Sequence, residues 1–436
     1  MHTRLMREFA RFVSLNVAGM IGLSCYILAD TFFVSLGMGA DGLAALNLAI
    51  PVYSFIHGSG LMIGMGAGTM YTIHASRGRR AQANRVFTGA AGMAAVFAAA
   101  FVLAGLTLPG AIVAAFGGTG AVGQMSVTYL RVILLFAPAF LANNLLLCFV
   151  RNDGAPQRAM AAMIGGSLSN VVLDWVFIFP CGMGIFGAAF ATGLAPLISM
   201  AILSPHFLRG RCGFRPARCK PGQCLLGQSL AAGLPSLVTE VSSGVVMIVF
   251  NSLMLSLEGS TGVAAYGVIA NLSLVVLAIY TGIAQGVQPL LSRSQGQGRQ
   301  AEARAMLGWA LGAMVLFSAA VYLSVALFAD PIAGVFNSGG SAALQSIAVQ
   351  GLRLYFIGCP FAGFNVILAM YFTTSQRPRP AGAVSLLRGF VLIIPLALAL
   401  AGLWGTAGVW CAFPAAEALT SIWAALAFCR EKKREE

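Results

Sequence analysis

Long stretches of this 436-residue chain carry no charge at all. Nothing charged occurs between Arg85 and Arg131, where the only breaks are Pro109-Gly110 and Gly117-Gly118. The same holds between Asp174 and Arg209, broken at Pro180-Cys181-Gly182. A helix needs about 20 apolar residues to cross the hydrocarbon of a bilayer, so each gap holds two crossings. The whole chain reads as twelve spans: 12–36, 44–73, 87–109, 123–149, 159–180, 186–208, 227–257, 263–291, 305–329, 343–374, 382–402 and 406–429. Only 9% of residues are charged and 58% are hydrophobic. Soluble domains carry roughly 25% charged residues, so a soluble enzyme or a disordered chain is excluded. The expectation is an all-α integral membrane protein whose backbone polar groups are satisfied within its own helices.

The 26 Lys and Arg outnumber the 13 Asp and Glu, giving a net charge of +13. Their placement explains the excess. Arg4, Arg7 and Arg11 precede the first span. Arg77, Arg79, Arg80 and Arg85 fall in the second loop, Arg151 and Arg158 in the fourth, and Arg209, Arg211, Arg215, Arg218 and Lys220 in the sixth. Arg293, Arg299 and Arg304 follow in the eighth loop, Arg377 and Arg379 in the tenth, and Arg430, Lys432, Lys433 and Arg434 at the end. The odd-numbered loops hold none. By the positive-inside rule both termini are cytoplasmic and the number of crossings is even. The basic excess is topological, and nucleic acid is not an expected partner.

The basic start leads into an apolar run too long for a signal-peptide core, so the first span is expected to stay as an anchor. Of the nine cysteines only Cys181 lies in an outer loop, so no disulfide framework is implied. His206, Cys212, Cys219 and Cys224 lack the paired spacing of a zinc site and read as reduced thiols beside a histidine.

The chain repeats itself. Shifted by 220, Gly39-Ala40-Asp41-Gly42-Leu43-Ala44-Ala45 falls on Gly259-Ser260-Thr261-Gly262-Val263-Ala264-Ala265. Gly66 then meets Gly286, and Arg79 meets Arg299. A shift of 222 sets Leu130-Arg131, Pro138 and Asn143 on Leu352-Arg353, Pro360 and Asn365. Six spans per half puts both halves in one orientation, related by a pseudo-two-fold axis along the membrane normal. The expected domains are an N-lobe (1–208), a cytoplasmic linker (209–226) and a C-lobe (227–436). Two such bundles leave a cleft between them, the geometry of alternating access, so transport leads the functional classes.

Four acids lie within spans: Asp30, Asp174, Glu240 and Glu417. A carboxylate at the bilayer centre costs about 2.5–3.5 kcal/mol on insertion scales, so each is a functional candidate. Asn170 and Asp174 are four residues apart and share a helix face. Thr192 lies on the next span, in a Gly/Ala-rich segment that permits close packing. With the amide carbonyl of Asn170 turned inward, Asp30, Asp174, Asn170 and Thr192 offer oxygens suited to a hard cation such as Na+. Two carboxylates out of water can instead share a proton. Both readings make the cluster an ion-coupling site, and neither requires a further cofactor. The alternative for each acid is a hydrogen bond to a neighbouring helix, which is favoured for Glu417. The second-half counterparts of Asn170, Asp174 and Thr192 are Val391, Pro395 and Phe413, so the cluster belongs to the first half alone. Arg131, Arg353 and Arg388 lie inside spans; Arg131 and Arg353 read as packing cations near the outer interface, and His57 as a hydrogen-bonded helix contact. No nucleotide-binding or H-E-x-x-H motif occurs.

Several segments together resemble the multidrug and toxin extrusion (MATE) family, in particular its bacterial branch. They are Tyr26-Ile27-Leu28-Ala29-Asp30-Thr31-Phe32-Phe33-Val34, Arg151-Asn152-Asp153-Gly154-Ala155-Pro156, Ser169-Asn170-Val171-Val172-Leu173-Asp174, Gly233-Leu234-Pro235-Ser236 with Glu240, and Gln285-Gly286-Val287-Gln288-Pro289-Leu290. The resemblance implies a twelve-helix antiporter of the bacterial inner membrane, working as a monomer, that exports small organic cations in exchange for inward H+ or Na+. It implies that Asp30, Asn170, Asp174 and Thr192 form the ion site. It further implies that Glu240, with Gln285 and Gln288, serves coupling or substrate binding in the C-lobe. The chain departs from the family in two places. A bend-forming proline of the first span is replaced by Leu15-Asn16-Val17, and an aspartate of the tenth span by Asn365. Two rivals stand beside this reading. A lipid-linked-sugar flippase of the same superfamily would need a basic cleft, and a polytopic membrane enzyme would need catalytic groups in long loops.

Overall fold

The computed structural model describes residues 2–208, 212–218, 225–337 and 340–435. Among them there are helices and no strand: α1 (His2–Ser76), α2 (Arg80–Thr107), α3 (Pro109–Ala115), α4 (Gly120–Leu135), α5 (Ala137–Asn152), α6 (Pro156–Ile178), α7 (Gly184–Leu208), α8 (Leu226–Gly296), α9 (Gln300–Phe336), α10 (Ala342–Tyr355), α11 (Cys359–Thr374), α12 (Pro378–Leu386) and α13 (Ile393–Glu435). A 3-10 turn at Phe356–Gly358 joins α10 to α11, and a π-helical turn at Leu387–Val391 joins α12 to α13.

Eight helical stretches are long and apolar enough to cross a membrane, and α4 with α5, bent by 49°, make a ninth crossing. Three of the eight fold back on themselves. In α1 the break is Gly39, with φ 65° and ψ −150°; in α8 it is Gly259, with φ 64° and ψ −150°; in α13 it is Gly405, with φ 58° and ψ −135°. The arms of α1 lie side by side, since the Tyr26 and Tyr53 hydroxyls meet at 3.0 Å. The rings of Phe250 and Tyr266 stack at 5.5 Å between the arms of α8. Each fold-back counts as two crossings, which gives twelve in all. The outer loops expected near residues 40 and 260 are thus single-residue reversals. Only glycine enters that region of φ and ψ without steric penalty, so one residue suffices where several were expected. Gly259→Ala is expected to cost about 1–3 kcal/mol through backbone strain alone, read as a lower thermal midpoint. No atom waits within 4 Å of the added methyl, so packing contributes nothing to that loss.

The repeat is visible in the backbone. Gly39 and Gly259 match in both angles, and Gly78 (φ 75°) and Gly298 (φ 74°) repeat at the same spacing. Six crossings per half form two bundles in the same orientation, related by a pseudo-two-fold axis along the membrane normal. Each bundle has its own core. Val34, Ile63, Phe149 and Leu203 belong to the first; Phe250, Tyr280, Phe372 and Trp410 belong to the second.

The first arm of α1 begins well before residue 12, and its backbone stays helical to Gly39. Without a proline near Asn16 nothing interrupts its hydrogen-bond ladder. Its lower end packs into the other bundle's core through Phe9, Phe12 and Val13. The bundles therefore close on each other at the end that carries both chain termini. There Gly282 meets Val17, Gly286 meets Val13, Gly296 meets Ser76, and Arg77 Nε donates to Gly296 O at 3.1 Å. A bidentate Arg293–Glu8 pair at 2.8 Å spans the same seam, and the guanidinium holds the Glu8 carboxyl below its usual range.

Candidate functional site

Three helical segments of the first bundle deliver the expected cluster. Asp30 comes from the first arm of α1, Asn170 and Asp174 from one face of α6, and Thr192 from α7; all four are buried, Asp174 completely. The two carboxyl groups lie within hydrogen-bonding reach of each other. In the orientation that satisfies both its neighbours, Asn170 donates Nδ2 to Asp174 Oδ2 at 3.0 Å and accepts from the Thr192 backbone N–H at 3.2 Å. Oδ1 of Asp30 and Oδ1 of Asp174 have no protein partner. A buried acceptor left unpaired is costly, so one on each of two neighbouring carboxyl groups marks a place where a proton or a cation is taken up.

The amide orientation depends on what the carboxyl pair holds. With Asp174 ionised, NH2 toward Asp174 and the carbonyl toward α7 satisfies both neighbours; a bound cation would favour the carbonyl turned inward. The cause is local, because the ionised Asp174 carboxylate accepts and the Thr192 N–H donates.

Three tyrosines complete the surroundings. Tyr26 and Tyr53 share their hydroxyl contact, and both feel the charge of Asp30; Tyr129, from α4, reaches the Thr192 hydroxyl. None had been assigned a role from sequence. Tyr26 had a signal, since it lies four residues before Asp30 and shares its face. Tyr129 had none, because its approach depends on how α4 is turned. His57 stacks on Tyr53 with centroids 5.9 Å apart and meets Asn144 Nδ2 at 3.3 Å, a helix contact of the kind expected.

The second-bundle candidates are not gathered into one site. Glu240 is half-buried on α8, against Gly58 of α1 and in electrostatic range of Tyr53. Gln285 and Gln288 lie on the seam between the bundles. Gln285 Oε1 accepts from Arg151 NH1 at 2.7 Å; Gln288 accepts from Asn152 at 3.1 Å and donates to Thr69 at 2.9 Å.

The second bundle has a buried charged cluster of its own. Glu417 accepts from Arg388 through NH2 at 2.6 Å and Nε at 3.0 Å, and from Asn365 Nδ2 at 2.7 Å; Ser421 Oγ donates to Asn365 Oδ1 at 3.1 Å. Arg388 reaches Glu417 from the π-helical turn, whose extra residue rotates the side chain inward. Arg388, Glu417 and Ser421 sit on the second-half equivalents of the helices that hold Asn170, Asp174 and Thr192, and Asn365 on the equivalent of α5. One bundle thus buries an acid pair and the other a neutralised ion pair. Glu417 is a helix-to-helix contact, as read from sequence, and Arg388 is its partner. Arg388→Met is expected to cost about 3–5 kcal/mol by stranding the Glu417 charge, and adding Glu417→Leu should recover most of that loss in thermal melts. Arg353 faces Asp330 at 3.8 Å, with both side chains more than half exposed.

At the termini end Asp153, His206 and Cys212 gather within 4.8 Å. Cys219 and Cys224, weighed with them as zinc ligands, lie outside the described residues. Arg158 NH1 is 2.8 Å from His206 Nδ1, and a guanidinium can only donate. The imidazole proton therefore sits on Nε2, which donates to Asp153 Oδ2 at 2.8 Å. Both ring nitrogens are committed and no lone pair faces a metal. The cluster instead fastens the linker, since Gly213 N also donates to Asp153 Oδ2 at 2.8 Å.

Two like-oriented six-helix bundles, a seam closed at one end and a buried acid pair in one bundle are the architecture of a membrane transporter. The comparisons name the family. A family model described as MatE matches residues 17–176 and 235–399, and the chain belongs to that family. The multidrug export protein MepA of Staphylococcus aureus strain N315 is 24% identical over 407 residues, 92% of this chain and 88% of the relative. MepA of Staphylococcus saprophyticus is 23% identical over 425 residues, covering 96% and 93%. Among solved structures, a MATE transporter in complex with MaL6 superimposes with a TM-score of 0.91 at 22% identity, over 98% of this chain and 97% of that one. An outward-facing multidrug resistance MATE transporter gives 0.89 at 23%, over 98% and 96%. A mutant of the Vibrio cholerae MATE transporter VcmN gives 0.90 at 19%, over 100% and 98%. The chain is a MATE-family transporter, a multi-pass membrane protein and not an enzyme.

Proposed function

We propose that this transporter is an antiporter of the bacterial inner membrane that exports small organic cations against an inward flow of protons. The observation that carries the reading is the buried Asp30–Asp174 contact, in which each carboxyl keeps one oxygen without a hydrogen-bond partner. A buried carboxyl pair suits a shared proton, whereas Na+ would also need the Asn170 carbonyl turned inward.

The termini end is the cytoplasmic end by the distribution of Lys and Arg. With that end closed, the described state faces outward. Uptake of an ion from outside neutralises Asp30 and Asp174, relaxes the packing of α1 against α6 and α7, and weakens the hold on an organic cation, which leaves outward. The bundles then rock, the ion departs to the cytoplasm and the acid pair regains its charge for the next cation. Glu240, facing Tyr53 across the seam, is placed to sense the same event from the second bundle. One chain holds every part of this cycle, which supports a working monomer, and the coupling ion is the only cofactor it needs.

The flippase alternative needs a basic cleft. Arg388 is neutralised by Glu417, and Arg353 is exposed beside Asp330, so neither supplies one. The experiment uses proteoliposomes loaded with a pH-sensitive dye, an imposed proton gradient and an added organic dye cation. Without Na+, the cation should collapse the gradient. Flux that appears only with Na+ would move the coupling ion to Na+, and no cation flux with either ion would return the flippase.

A further inference from the structure

We propose that Arg151 is a specificity-determining residue of the closed seam: an unneutralised positive charge that keeps small cations from leaking through while the bundles are shut. Its place in the sequence suggested a loop, yet it is 2% exposed, in the last turn of α5 and against the other bundle. NH1 donates to Asn16 Oδ1 at 2.8 Å and to Gln285 Oε1 at 2.7 Å; NH2 lies 3.1 Å from Met65 Sδ and 3.5 Å from Cys148 Sγ. Every one of these partners is neutral, Nε has no partner, and Arg151 makes no ion pair among the described residues. Asp153, two residues on, is taken up by Tyr71, His206 and Gly213.

A latch alone has no need of a charge. Gln288 ties the same seam through Asn152 and Thr69 with amides and a hydroxyl. A buried guanidinium with no counter-charge is a costly way to make two hydrogen bonds, so the charge itself is what the seam uses. Asn16 lies about 21 Å from Asp30 along α1, at 1.5 Å per residue. An ion held by the acid pair must therefore pass the plane of Arg151 to reach the termini end. Fixed positive charge at a constriction excludes protons and metal cations. The barrier depends on state. Dry and closed, the charge acts at full strength; once the bundles part and Gln285 withdraws, water screens it and the ion can leave.

The test measures leak in proteoliposomes under an imposed potential with no organic cation present. Arg151→Gln should raise proton or Na+ flux about tenfold or more, the change expected when one close charge-charge repulsion is lost. Arg151→Lys should stay within about twofold of wild type, since it keeps the charge. Glycerol permeability should not change in either variant, and chloride permeability should not rise. Equal increases for glycerol would show a merely loosened latch, and an unchanged cation leak in Arg151→Gln of wild-type thermal midpoint would show no barrier; either result overturns the proposal. If Arg151→Gln does not fold, Gln285→Ala decides, because it removes one latch bond and keeps the charge: tight vesicles support the barrier and leaky ones refute it. The inference rests on the antiport reading only for the identity of the ion that must cross. Because the leak is read without substrate, a wild type that moves no organic cation would leave it standing.

Discussion

Asp174→Asn is expected to lower proton-coupled exchange of an organic cation about 100-fold, the size of a coupling free energy of ~3 kcal/mol. The residue is fully buried, touches Asp30 and leaves one oxygen without a partner, so its carboxylate can have little role besides holding an ion. Asparagine has nearly the same shape and accepts at one atom only. The variant should keep the thermal midpoint of the wild type or exceed it, because two like groups are no longer pressed together. Asp30→Asn should behave alike. The double variant should be no worse than either single one, since both remove the same site and their effects cannot add. Dye-loaded proteoliposomes read the exchange, and differential scanning fluorimetry reads the fold. Wild-type exchange by a folded Asp174→Asn would falsify the ion-site reading.

Gly66→Ala should open the termini end. The second arm of α1 and the first arm of α8 cross there with their backbones touching: a methyl on Gly66 would fall on Ser229 O, and one on Gly233 on Met62 O. Overpacking of this kind costs about 1–3 kcal/mol. The cost falls only on the state in which the bundles are closed, so the balance between states shifts by about 5–150-fold. Cys148, buried beside Gly64 and Arg151, reports the change. In a background with Cys148 as the sole cysteine, labelling by an impermeant maleimide from the termini side should accelerate by that factor. Gly233→Ala should do the same, and an unchanged labelling rate in both would remove the close crossing from the gating account.

How far the chain could be read in advance follows from which physical quantities are local. Hydropathy, glycine placement and the side of each Lys and Arg are properties of short segments. They yield twelve crossings, one repeat per half and the Asn170–Asp174 face. The repeat reading aligned Gly39 with Gly259, and the structure returns the same reversal at both. Asp30, Asn170, Asp174 and Thr192 were legible because polar groups inside apolar runs are conspicuous.

Arg151 was not legible, because a basic residue next to Asn152-Asp153-Gly154 looks like loop chemistry. Its burial arises from the second bundle closing over it. Arg388 and Glu417 are 29 residues apart on neighbouring crossings, and no periodicity links them. The Asn170 amide is oriented by a backbone N–H on another helix.

From its sequence alone, then, this protein is a twelve-helix membrane protein of two like halves with an acid pair in the first, because the free energy of placing each residue in lipid or water is set locally. Which charges meet, which stay alone and which end is shut were decided only in the tertiary structure. Those depend on how each helix is rotated about its axis and on the state of the seam between the bundles, and both are set by contacts between residues far apart in the chain.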